Sequence, residues 1–78
     1  MQSDICKHVL YFAYKNNGLF KASQFRYIAD PPRTWYQKDL LLKYMVEQGW
    51  FRRYRADGSR VYIYQITEKG RTYLEANL

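Results

Sequence analysis

Asp57-Gly58 splits a run of β-forming residues, and this pair constrains the fold more than any other feature of the chain. Asp-Gly between two alternating runs is the strongest short-range hairpin signal, because a tight type I′ turn needs φ > 0 at both central residues. The spacing predicts strands near Trp50–Arg55 and Arg60–Ile66, with Gly58 in the left-handed region. Arg52, Arg53 and Arg55 sit on the first strand, and Arg60 opens the second. Alternate side chains of a ribbon share a face, so Arg53 and Arg55 should point together and Arg52 oppositely. Arg52 is then free to meet phosphates from another side, or to pair with Glu47 or Asp57. Arg60 should flank Arg55 across the turn.

Helices are expected on both sides of this hairpin. Ser3-Asp4 reads as a helix start with oxygen side chains to cap free N–H groups. Ile5, Val9, Phe12 and Ala13 follow on one face. Asn16-Asn17-Gly18 supplies residues that tolerate a left-handed C-cap. Leu19-Phe20 reads as a short extended piece. Ser23 is the expected cap of a second short helix carrying Phe25 and Ile28, broken by Asp30-Pro31-Pro32. A third helix is expected from about Arg33 to Gln48, with Trp35, Leu41, Leu42, Met45 and Val46 as its apolar stripe and Gly49 as its stop. Tyr36, Leu40 and Tyr44 lie off that stripe; a wide aromatic core is the simplest account of them, and an exposed patch that meets a second subunit or DNA is the alternative. Thr67 should cap a last helix holding Tyr73 and Leu74. No linker, repeat or low-complexity segment interrupts the order.

The totals narrow the class. A chain of 78 residues with 47% hydrophobic and 19% aromatic residues is one small globular domain, with a modest core that a partner or a second copy would help. The formal net charge is +6, and such an excess favours polyanions, nucleic acid first. Solubility alone would explain a charge of that size; its clustering on one hairpin is the informative part. One cysteine, Cys6, and one histidine, His8, exclude an intramolecular disulfide and a Cys/His metal set. No apolar run approaches the roughly 20 residues that span a bilayer, and Lys7 and His8 interrupt what would otherwise resemble a leader. An intracellular protein that does not engage membranes, needing no cofactor, is the expectation.

The order helix, short strand, helix, helix, strand, strand, helix is that of the winged helix-turn-helix, an α+β fold of three helices, a β-hairpin wing and a short C-terminal helix. Particular residues carry the resemblance. Leu42, Met45, Val46, Gly49, Trp50 and Phe51 resemble the "L..LV..GLI" exit from that family's recognition helix. Asp57-Gly58-Ser59-Arg60 resembles its wing turn. Tyr64-Gln65-Ile66-Thr67-Glu68-Lys69-Gly70-Arg71 resembles the "Y.LTEKGR" block that ends the wing in MarR-like and PadR-like regulators. The match covers residues 40 to 74, and the earlier part agrees only in pattern. These regulators usually carry further helices for dimerisation, so this chain is more similar to the minimal winged helices of phages, plasmids and archaeal viruses. Asp30-Pro31-Pro32 departs from the short, often glycine-containing turn usual between the second and third helices.

The resemblance implies a double-stranded DNA-binding protein acting in transcription regulation, as a homodimer on a palindromic site. The residues support that reading chemically. A recognition helix reads bases with its first turns, here Arg33, Thr34, Tyr36 and Gln37. Arg33 suits a guanine fork and Gln37 an adenine; Thr34 and Tyr36 suit a phosphate or a thymine methyl. Lys38 and Lys43 lie further along, nearer the backbone. Arg52, Arg53, Arg55, Ser59 and Arg60 form the wing contribution. A solvated helix start would explain Arg33 and Gln37 equally well, and a charged edge that resists aggregation would explain the wing. A protein-docking module of a phage or plasmid, acting on a host factor, is the rival from another class. An exposed Tyr/Leu patch with scattered arginines would favour it. Catalysis is not expected: Asp4, Asp30, Asp39, Glu47, Asp57, Glu68 and Glu75 are dispersed, and no nucleophile–base set forms around His8.

Overall fold

The computed structural model describes residues 2–55 and 57–77, without the side chains of Gln2 and Ser3. Helix α1 spans Gln2–Lys15. It begins ahead of the Ser3-Asp4 start read from the sequence; a cap by the Ser3 side chain lies outside the described residues. Its core stripe is Cys6, Val9, Leu10 and Ala13, all fully buried, with Ile5 and Phe12 packed at the margin. The buried face keeps Val9 and Ala13 of the expected Ile5, Val9, Phe12 and Ala13 face but is rotated toward Cys6 and Leu10, with i, i+3, i+4, i+7 spacing. Burial pushes the Cys6 thiol up to about 11, so it is a protonated apolar filler at neutral pH. The helix ends as the sequence suggests: Asn17 and Gly18 hold φ of 60° and 79°, and Gly18 N–H donates to the Ala13 carbonyl.

Strand β1 is Leu19–Phe20. The short helix after it is a 3-10 helix, Ala22–Tyr27, led by Lys21 rather than capped by Ser23, which lies inside it. Half-buried Ala22 and buried Phe25 and Ile28 explain the choice. They recur every third residue, which is the 3-10 period, so three residues per turn aligns what an α-helix would splay. Asp30 then takes φ of 50°. A residue before proline is ordinarily held extended, and Asp is among the few non-glycine residues that accept a positive φ instead.

Helix α2 spans Trp35–Glu47, not Arg33–Gln48. Thr34 is its N-cap: Thr34 Oγ1 accepts from Gln37 N–H at 3.1 Å, and Gln37 Oε1 turns back to Arg33 N–H at 3.3 Å and Thr34 N–H at 3.5 Å. Arg33 therefore lies ahead of the helix. Leu41, Leu42 and Met45 are buried as expected, but Trp35 is 60% exposed. Trp35 shares the face of Leu42 by periodicity, yet lies about two turns nearer the N-terminus, where the helix has outrun the core. Gly49, at φ of 81°, closes α2 in a Schellman turn: Gly49 N–H bonds to Val46 O and Trp50 N–H to Met45 O.

Strands β2, Phe51–Tyr54, and β3, Ile63–Ile66, complete a three-stranded antiparallel sheet of order β1-β3-β2. The hairpin exists, but not in the expected register. A two-residue turn centred on Asp57-Gly58 would set Tyr54 opposite Val61; the ladder sets it opposite Ile63. The ladder stops there, and the tip beyond Tyr54 and Ile63 is longer than a two-residue turn. The shift of two keeps each residue on its own face, so Phe51 and Tyr64 still reach the core. Helix α3, Glu68–Ala76, starts at Thr67, whose Oγ1 accepts from Gly70 N–H at 2.9 Å. The result is an α+β fold with one core shared by α1, the 3-10 helix, α2, α3 and one sheet face.

The block Thr67–Gly70 fixes the hairpin base. Thr67 N–H donates to Trp50 O, and the Thr67 hydroxyl donates to Gly49 O. A Cβ at Gly70 would stand 2.3 Å from Trp50 O. Only glycine lets α3 approach the Trp50 backbone, just ahead of β2, so closely. Tyr73 then stacks on Trp50, with centroids 4.1 Å apart.

Candidate nucleic-acid interface

The sheet places the wing arginines on opposite faces, as strand alternation requires. Arg53 pairs across the ladder with Tyr64, and Arg52 with Gln65. Arg52 Nη2 donates to Gln65 Oε1 at 3.1 Å, so its partner is Gln65 rather than Glu47 or Asp57. Arg53 continues the face that buries Phe51 and Tyr64. As the hairpin leaves the core, that face turns into the wall of a groove.

The groove runs between α2 and the hairpin and encloses about 550 Å³. Trp35, Tyr36, Asp39, Leu40 and Lys43 line it from α2; Arg53, Arg60, Val61, Tyr62 and Tyr64 line it from the hairpin; Ala22 and Ser23 close one end. Tyr36, Leu40 and Lys43 fall at i, i+4 and i+7, one stripe of the helix. Tyr36 is 72% exposed and Leu40 47%, which overturns the wide-core account of that stripe. Tyr44 alone of the three packs inward, edge-on to Trp50.

Cations and rings interleave around this groove. The Arg53 guanidinium lies 4.4 Å from the Tyr62 ring centroid and that of Arg55 5.3 Å. Arg55 is thus neighboured by Tyr62, and Arg60 lines the groove. Lys38 Nζ sits 4.4 Å over Trp35. Such contacts are worth about 0.5–1 kcal/mol at exposed sites, enough to bias side-chain direction. Burial raises the Tyr64 phenol, against the lowering pull of Arg53 beside it and with a smaller raising push from Asp39. Lys43, Arg53 and Arg60 face one carboxylate, Asp39, among the lining residues.

The remaining candidates are dispersed. Thr34 and Gln37 have their oxygens engaged in the N-cap, though the Thr34 hydroxyl keeps its proton to donate. Arg33 is exposed beside them. Ser59 Oγ accepts from Val61 N–H at 3.1 Å, a local turn of the tip. Sequence reasoning did not select Trp35, Asp39, Leu40, Val61 and Tyr62 as site residues. The signal for Tyr62 was its even spacing from Tyr64; the signal for Leu40 was its place in the Tyr36 stripe.

Among the described residues no group of three His, Cys, Asp or Glu could hold a metal ion, and no helix is long and apolar enough to cross a membrane. No family model, curated protein or solved structure matches the chain.

Proposed function

We propose that this chain is a winged helix-turn-helix that binds double-stranded DNA in transcription regulation. The observation that carries the reading is the groove, which gathers Lys43, Arg53 and Arg60 beside the exposed stripe of α2. The sheet order β1-β3-β2, with a basic hairpin projecting next to α2, is compatible with a winged helix. In this reading the first turns of α2 enter the major groove, with Tyr36 leading the stripe. Arg33 supplies a guanidinium at the helix start; Gln37 must leave its cap to read a base. Arg53, Arg55 and Arg60 grip phosphates, and Lys38 and Lys43 follow the backbone. Tyr11 and Tyr14, exposed on α1, offer a surface for a homodimer inside the cell.

A duplex titration at several salt concentrations tests this. Binding should weaken with a log–log slope of about −0.9 per phosphate neutralised. Arg53→Ala with Arg55→Ala should weaken binding to all sequences and flatten the slope by roughly one to two. Salt-independent binding, or none at low salt, overturns the proposal. The second reading, a protein-docking module, draws on the exposed Trp35, Tyr36, Leu40 and Val61; an acidic partner that binds without DNA would favour it.

A further inference from the structure

We propose that the groove between α2 and the hairpin binds single-stranded nucleic acid, stacking an unpaired base on Tyr36 while Lys43, Arg53 and Arg60 hold adjoining phosphates. The inference goes beyond the duplex reading and does not require it. A duplex presents base edges to a protein and keeps base faces stacked within itself. Ring faces standing in solvent therefore match a strand whose bases are free. Tyr36 is the most exposed large apolar residue described, at 72%, and no ring or cation is stacked on it among the described residues. Trp35 and Tyr62 differ, since Lys38 covers one and Arg53 the other.

Charge selects the occupant. Three cations face one carboxylate in the groove, so an apolar segment would strip water from them without compensation. An acidic peptide would satisfy the charges and leave the rings idle. A nucleotide uses both. The volume, about 550 Å³, lies within the roughly 300–1,000 Å³ of small-ligand clefts. Asp39 adds an acceptor for an N–H on a base's Watson–Crick edge, such as thymine N3–H.

The test is fluorescence anisotropy with three labelled probes: a twelve-nucleotide oligothymidylate, an abasic oligomer of equal charge, and a duplex of equal length. The oligothymidylate should bind, and the abasic strand at least about fivefold more weakly, the effect of one stacked base. Tyr36→Ala should weaken oligothymidylate binding by about fivefold or more, and Tyr36→Phe should keep it. Tyr36 is a surface residue, and a thermal melt checks that both variants fold. Equal binding of the abasic strand, unchanged binding by Tyr36→Ala, or no binding of the oligothymidylate overturns the proposal. The duplex arm separates the two ideas. Duplex without single-strand binding sinks this inference and leaves the regulator reading; single-strand without duplex binding does the reverse.

Discussion

The base and the tip of the hairpin are built on different principles, and two glycines show it. At the base, Gly70 is buried, and an added Cβ would meet the Trp50 carbonyl at 2.3 Å. At the tip, a Cβ on Gly58 would meet nothing within 4 Å, yet Gly58 holds φ of 78°. The first glycine is required by packing, the second by backbone conformation. Around Gly70, Thr67 ties α3 to Gly49 and Trp50, and Tyr73 and Tyr44 wrap the Trp50 ring. Around Gly58, the arginines and Tyr62 meet solvent. Stability is thus concentrated where the hairpin leaves the core, and exposed charge where it projects. The tip can vary in charge and length at little cost to the fold.

The largest effect should come from the base. Gly70→Ala should destabilise by about 3 kcal/mol or more, since the neighbour to be displaced is backbone. Urea denaturation measures it; an unchanged midpoint would mean that α3 is not seated on the Trp50 carbonyl. Gly58→Val should cost less, about 1–2 kcal/mol, the penalty of a left-handed β-branched residue with no clash. Gly58→Asn should recover part of that, because Asn tolerates this region. If Gly58→Val proved costlier than Gly70→Ala, the tip would be the stabilising region and the contrast would be inverted.

The same contrast explains what could be read from sequence. Features set by local chemistry were legible: the Asn17-Gly18 stop, the Gly49 stop, the Thr67 cap, and the opposition of Arg52 to Arg53. Features set by the extent of the core were not. Periodicity groups Trp35 with Leu42, but cannot tell that the core ends before Trp35. The Tyr36 and Leu40 stripe was visible and was assigned inward for the same reason. The hairpin register is two residues off the one a two-residue Asp57-Gly58 turn would set, and because that shift preserves faces, the alternation of Phe51 and Tyr64 could not reveal it. Gly70 belongs to a block legible as a motif, but its purpose required the distance to Trp50. The groove was least legible, because its two walls, Tyr36 to Lys43 and Arg53 to Tyr64, meet only in the fold.

The smallest expected effect is the most discriminating, and it contrasts neighbouring residues. Arg52 and Arg53 carry the same charge one position apart on β2. Arg53 faces the groove beside Tyr62, whereas Arg52 is turned to the other face and donates to Gln65. Net charge cannot distinguish them, so a nucleic acid held only by the overall +6 should respond equally to losing either. A ligand seated in the groove should not. Arg52→Ala should leave affinity within about twofold and the salt slope nearly unaltered. Arg53→Ala should lower affinity for every sequence and flatten the slope by about one, the loss of one phosphate contact. The measurement is the same titration with each single variant, for duplex and single strand alike. If both variants lower the slope equally, the hairpin acts as a diffuse charge and the groove has no privileged face. If Arg52 alone matters, the ligand lies on the Gln65 side of the sheet, and the site assigned to α2 and the tip must move there.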